Sequence, residues 1–159
     1  MEEAFTALKD FTLESLGTFL DGLADEQTPL PHPEEASVVF GTVDMSKNRR
    51  SLILAFIPGS EDEEEDAGGI DGFATVSRLT VSFICTGKSQ AVRIRQICRY
   101  SEAFRRMILS DCSLGSRVLD CTAGERTFFP DAGTAEGQSS VVEMEVAVTT
   151  DDDGDGLFK

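Results

Sequence analysis

The sequence predicts an α+β fold: a mixed or antiparallel sheet of about five strands, packed by an N-terminal helix and a central helix in the order α-β-β-β-α-β-β. Three observations predict it. Leu79, Val81, Phe83 and Cys85 alternate with Thr80 and Ser82, with Arg78 just before, which is the period-two pattern of a strand with one buried face. Behind a capping Ser89, the apolar residues Ile94, Ile97, Cys98, Phe104 and Ile108 recur at three- and four-residue steps, as in an amphipathic helix. Val142, Met144, Val146 and Val148 then alternate with Glu143, Glu145, Ala147 and Thr149, giving a second one-faced strand.

The remaining elements follow in chain order. Residues 4–23 place Leu8, Phe11, Leu16, Phe19, Leu20 and Leu23 along one side of a helix, with Gly22 near its C-terminal end. This stripe is read as a cover for one face of the sheet. Its polar side is acidic, whereas a membrane-surface helix is usually basic there. Thr28-Pro29-Leu30-Pro31-His32-Pro33 cannot continue a helix, because proline lacks the N–H donor and restricts the residue before it. Residues 37–43 and 50–57 flank Asp44-Met45-Ser46-Lys47-Asn48, the pattern of a β-hairpin, and 52–57, apolar on both faces, read as the central strand. Pro58-Gly59-Ser60 ends that strand. Glu61-Asp62-Glu63-Glu64-Glu65-Asp66 follows, six carboxylates with no apolar anchor, and predicts a mobile acidic loop over 59–71.

Thr86-Gly87 separates the alternating strand from the central helix. Ser110-Asp111 and Ser113-Leu114-Gly115-Ser116 supply turn chemistry before the β-branched and aromatic run 117–129. Residues 130–139 read as a second flexible connection. The domain is expected to span 1–150, followed by an acidic tail over 151–159. On the central helix, the side opposite the apolar stripe carries Arg95, Arg99, Glu102 and Arg106 at i, i+4, i+7 and i+11, with Lys88, Arg93 and Arg105 flanking them. Six of the fourteen basic residues therefore belong to one helix.

A length of 159 residues is that of one domain, and a 40% apolar fraction with eleven Phe argues for a packed core. The net charge of -15 argues against unaided binding to nucleic acid or anionic membrane, because phosphate binding rests on excess Lys and Arg. Proteins are the expected partners. Apolar runs fall far short of the ~20 residues that span a bilayer. Met1-Glu2-Glu3 opens neither a basic segment nor a continuous apolar stretch, so a secretory signal is not expected and synthesis in the cytosol is. None of Cys85, Cys98, Cys112 and Cys121 stands in C-x-x-C spacing, and His32 is the sole histidine, so neither a metal nor a cofactor is expected. Cys85 and Cys98, on the predicted apolar faces, read as small buried thiols, which leaves Cys112 with Cys121 as the alternative disulfide. Asp151, Asp153 and Asp155 before Gly156 match the first half of a calcium loop but lack its closing Glu, and are read as an acidic terminus. G-x-S-x-G, G-x-x-x-x-G-K-[ST] and H-E-x-x-H are all missing, so no catalytic residue is assigned and an enzyme is not expected.

This order of elements resembles the tail terminator (tail completion) proteins of tailed bacteriophages over most of the chain. The likeness is strongest between Leu79 and Phe129. There an alternating strand leads to an Arg-rich helix with Tyr100-Ser101-Glu102-Ala103-Phe104-Arg105. Leu109-Ser110-Asp111-Cys112-Ser113-Leu114-Gly115-Ser116-Arg117-Val118 follows, similar to a family stretch in which a helix ends in a short acidic turn before Leu-Gly and a strand. The run 61–66 and the tail 151–159 depart from the plainest members and leave open another head-to-tail joining or neck protein. The resemblance implies a virion protein of the tail or neck, made in the host cytoplasm. It implies a homo-oligomeric ring, commonly of six subunits, that stops polymerisation of the tail tube protein and presents a docking surface to the head–tail connector. No membrane and no specific nucleic acid enter this picture, and an acidic lumen would let DNA pass through the ring without sticking. A ring needs two different, complementary patches on each subunit. Arg95, Arg99 and Arg106 are expected to form one, and Glu61, Asp62, Glu63, Glu64, Glu65 and Asp66 the other. Two alternatives remain. One is a monomeric acidic module that mimics DNA and blocks a basic protein; it explains the charge but not the basic helix. The other treats that helix face as merely solvated, its arginines offsetting the surrounding acid.

Overall fold

The computed structural model describes residues 1–44, 50–65, 73–132 and 138–151. Helix α1 (Glu2–Asp21) leads through an extended segment and a 3-10 turn (Glu35–Ser37) into β1 (Val38–Phe40) and β2 (Leu52–Glu65). Strand β3 (Phe73–Thr86), helix α2 (Gln90–Ser110), β4 (Asp120–Phe129) and β5 (Ser139–Asp151) follow. The strands form one sheet in the order β1-β2-β3-β5-β4, with β1 parallel to β2 and every other pair antiparallel. This is the α+β arrangement with N-terminal and central helices that the hydrophobic pattern predicts.

One face of the sheet carries the core. Alternation presents Leu52, Leu54 and Phe56 of β2, Leu79, Val81, Phe83 and Cys85 of β3, and Val142, Met144, Val146 and Val148 of β5 to the helices. Helix α1 contributes Ala4, Ala7, Leu8, Phe11, Leu16 and Leu20 at helical spacing. Helix α2 contributes Ile97, Tyr100, Ala103, Phe104, Met107 and Ile108, and its Ser89 cap accepts from the Val92 N–H. At the centre, Phe83 stacks on Tyr100 with ring centroids 5.7 Å apart and meets Phe104 edge-on at 5.6 Å.

The buried face of α2 is rotated from the expected one. Ile94 is half-buried and Cys98 exposed, while Tyr100 and Met107 are buried. The Tyr100 hydroxyl donates to the Pro31 carbonyl at 2.5 Å, so its ring enters the core without stranding the polar tip. The buried thiols are Cys85 and Cys121, and burial pushes both up to about 12, which keeps them protonated at neutral pH. All four cysteines are free, including Cys112 and Cys121.

Three further expectations are corrected. Residues 37–43 and 50–57 do not form a hairpin: Val38, Val39 and Phe40 pair in parallel with Leu54, Ala55 and Phe56. The strands are shorter at their facing ends than the pattern suggests, and 41–51 is about the dozen residues a parallel return requires. The central strand is β3 rather than β2, because β2 has only the three-residue β1 on its other side. The acidic run is not a loop as far as Glu65. There β2 continues, pairing Glu61 with Ser77, Asp62 with Val76, Glu63 with Thr75 and Glu64 with Ala74. The β-prone Thr75 and Val76 offer a ladder, and alternation sends successive carboxylates to opposite faces, so the repulsion expected of a contiguous run is spread out. Asp66 and the rest of the expected loop to 71, like the tail 152–159, lie outside the described residues.

The proline-rich segment is held between the helices. A Cβ on Gly17 of α1 would come within 2.7 Å of the His32 ring, so only glycine lets the segment lie this close. His32 Nε2 lies 2.7 Å from Asp21 Oδ1, and Gln96 of α2 donates to the Pro29 carbonyl at 2.9 Å.

Candidate assembly interface

The six basic residues of the central helix region divide into distinct environments. Arg93 is 4% exposed, and its guanidinium donates to Ser140 Oγ at 3.2 Å and to the Gly87 carbonyl at 2.6 Å. It is an internal tie between the start of α2 and the start of β5. Arg99 donates to the Leu23 carbonyl and to Asp25 Oδ2, both at 3.1 Å, closing the segment after α1. Asp25 is held below the usual carboxylate range, first by the Thr28 N–H and then by Arg99. Arg95 and Lys88 are exposed and make no hydrogen bond or ion pair among the described residues.

Arg105 and Arg106 share Glu102. Arg105 Nη2 and Arg106 Nε each donate to Glu102 Oε1 at 3.0 Å. From β4, Arg126 Nη1 reaches Glu102 Oε2 at 3.3 Å and Ser101 Oγ at 3.2 Å, and its guanidinium lies over the Phe128 ring at 5.8 Å. The hydrogen bond from Arg105 leads in holding Glu102 below its ordinary value, with Arg106 and the charge of Arg126 adding to it against partial desolvation. Three guanidinium groups therefore surround one carboxylate, leaving this cluster with two positive charges in excess. Arg105 and Arg106 are half exposed, and Phe128 is 40% exposed. Helical spacing finds Arg106. Arg126 is legible only once β4 is paired to β5, because 24 residues separate it from Glu102.

The expected acidic patch is an ordered strand edge as far as the structure describes it. Glu61 is engaged by the Met1 ammonium and by Ser77 Oγ, and the ammonium is the leading cause that lowers its pKa. Asp62 pairs with Arg78. Glu63 and Glu64 are exposed and have no partner among the described residues. Glu65 ends β2. The structure thus places Glu61, Asp62, Glu63 and Glu64 on β2 and Arg95, Arg99 and Arg106 on α2, and records no ion pair between the two groups within this chain.

Both outer strands leave hydrogen-bonding edges open. β1 covers only Leu54, Ala55 and Phe56, so the edge of β2 over 58–65 has no strand partner among the described residues, and β4 pairs with β5 alone. The sheet is irregular at one level across its width. β2 bulges between Pro58 and Ser60 and β4 between Ala123 and Arg126, and Pro58, Leu79, Val146 and Ala123 lie in register across the four strands. A Cβ on Gly59 would meet the Arg78 carbonyl oxygen at 2.8 Å, so glycine permits the bulge. Between the two bulges, on the face away from the core, a groove of about 370 Å³ runs past Ser60, Arg78, Thr80, Thr122, Gly124 and Glu145.

Comparison of the sequence with protein-family models and with curated proteins finds no match. Among the described residues, no three His, Cys, Asp or Glu side chains gather as metal ligands would, and no helix is long and apolar enough to cross a membrane.

Proposed function

We propose that the chain is a structural virion subunit that assembles into a closed ring and caps a tail tube, in the manner of the phage tail terminators it resembles. The observation that carries the reading is the placement of charge on one sheet: four carboxylates on the β2 edge, and three arginines around one carboxylate beside β4 at the other edge. A head-to-tail ring uses two different patches, and these are complementary. A two-fold dimer through either edge would set like charge against like, which selects against that geometry. The tail tube protein and the head–tail connector are the partners this reading implies, with the same fold serving equally at another position of the neck.

The DNA-mimic reading is less well supported by the same observation. It needs the carboxylates free to meet a basic protein, and Glu61 and Asp62 are already engaged by the Met1 ammonium and Arg78. The test is to add the purified chain to tail tubes growing in vitro and measure their lengths. Capping gives tubes whose length stops increasing once the chain is added, and light scattering gives the chain a mass several times 17.2 kDa. Tubes that keep growing beside a monomeric chain contradict the reading.

A further inference from the structure

We propose that neighbouring copies join by strand pairing, the acidic edge of β2 in one copy aligning antiparallel to β4 of the next, with Glu63 reaching the arginines around Glu102. The inference rests on the ring reading above and specifies its contact. Its direction follows from topology. β2, β3, β5 and β4 alternate in direction, so four strands separate the two edges, and a copy added with the same face toward the helices brings its β2 antiparallel to β4. The sheet then continues from copy to copy and satisfies both rows of open backbone groups, which otherwise invite uncontrolled pairing.

Charge fixes the stagger. In an unshifted alignment Asp62, level with Val76 and Thr149, would face Asp120, which is also level with Thr149. Arg126 is level with Met144, whereas Glu63, paired with Thr75, is level with Thr150, six residues away along β5. Sliding the incoming β2 by those six residues, ~20 Å at ~3.4 Å per residue, sets Glu63 against Arg126, and an even shift keeps each side chain on its own face. A constant stagger between successive copies tilts the strands against the ring axis, as in closed barrels. The faces also agree. Glu61 and Glu63 pair with Ser77 and Thr75, on the helix side of the sheet, where Arg105, Arg106 and Arg126 lie, whereas Glu64 points to the other face beside Asp62 and Arg78. Glu63 is thus the carboxylate that has no partner among the described residues and shares a face with the arginine cluster.

The test uses the full chain and three single variants, Glu63→Lys, Arg106→Glu and the control Glu64→Lys, followed by light scattering over a concentration series. Glu63→Lys and Arg106→Glu should each weaken assembly about tenfold or more, and an equimolar mixture of the two should recover it, because the reversed charges then meet each other. Glu64→Lys should assemble nearly as the unmodified chain does. Amide exchange on the unmodified chain is a readout that needs no variant: assembly should protect the open edges of β4 and of β2 over 60–65 while leaving α1 unchanged. If the chain assembles but Glu63→Lys and Glu64→Lys are equivalent, or the edges gain no protection, the strand pairing is wrong and the ring stands. If the unmodified chain stays monomeric at every concentration with tail tubes present, ring and pairing both fall.

Discussion

The hairpin of β2 and β3 has two ends that share one hydrogen-bond ladder and differ in almost everything else. Over 52–57 and 80–85 its side chains include Leu54, Phe56, Val81 and Phe83, all fully buried, and the helices cover one face. Over 60–65 and 73–78 the same ladder carries Glu61, Asp62, Glu63 and Glu64 on an exposed strand, with Arg78 and the Met1 ammonium as the counter-charges. Stability is housed at one end and recognition at the other. The covered end gains from removing apolar surface from water and can change little without loss. The acidic end gains from the ladder and from weak exposed ion pairs at Glu61 and Asp62, and leaves Glu63 and Glu64 available for a partner.

Truncating the covered end should have the largest effect. Phe83→Ala and Phe104→Ala should each cost about 3 to 5 kcal/mol in urea unfolding, because both are fully buried and each leaves a cavity against the other ring. The double variant should cost less than the sum, since the rings touch. Losses below about 1 kcal/mol would erase the distinction between the two ends.

Arg93→Ala comes next. It removes two hydrogen bonds from a buried guanidinium, and about 2 to 4 kcal/mol should be lost. Arg93→Lys should recover only part of this, because an ammonium cannot reproduce the planar fork that reaches Ser140 and Gly87 together. Full recovery would make Arg93 a simple charge rather than an internal tie.

Gly59→Ala acts at the boundary between the two ends. Its Cβ would press on the Arg78 carbonyl at 2.8 Å, and a loss of about 1 to 3 kcal/mol is expected, concentrated in the acidic end. Amide exchange should quicken over 60–65 and 73–78 and hold over 80–85. A uniform change would mean that the bulge does not separate the ends.

The smallest effect is that of pH at Glu102. Its folded pKa lies below the ordinary value of 4.5, so the carboxylate contributes stability that is fully present above that value and lost as pH falls through its depressed folded value. Glu102→Gln should flatten the acid limb of a plot of thermal midpoint against pH by lowering the midpoint at pH 7 slightly toward its acid value, a small change since the cluster is partly exposed. An unchanged acid limb would remove Glu102 as the group the three arginines hold ionised.

The sequence shows the covered end and conceals the acidic one for physical reasons. Period two over Leu79 to Cys85 and Val142 to Val148, and helical spacing in α1 and α2, are local signals that burial enforces, so both helices and the strands β3 and β5 are readable. The acidic run reads as a loop because charge repels over short sequence distances, but the ladder that orders it comes from Phe73 to Arg78 on the facing strand. Arg106 is visible in the helix pattern. Arg126 and the buried role of Arg93 are not, because both depend on where β4 and β5 bring Glu102 and Ser140. The strand β1 is readable but its parallel direction is not, since three residues carry too little pattern to fix a direction.

Residue-resolved amide exchange of the dilute chain at about 0.1 M and about 1 M salt separates the packed end of the β2–β3 ladder from its charged end beyond the Pro58–Ser60 bulge. Amides of 80–85 should exchange only through global unfolding at both salt concentrations. Those of 73–78 that bond to β2 rather than to β5 should open locally at low salt and close toward the global value at high salt, where screening over ~3 Å quiets the repulsion among Glu61 to Glu64. Equal, salt-independent protection along the whole of β3 would contradict the account.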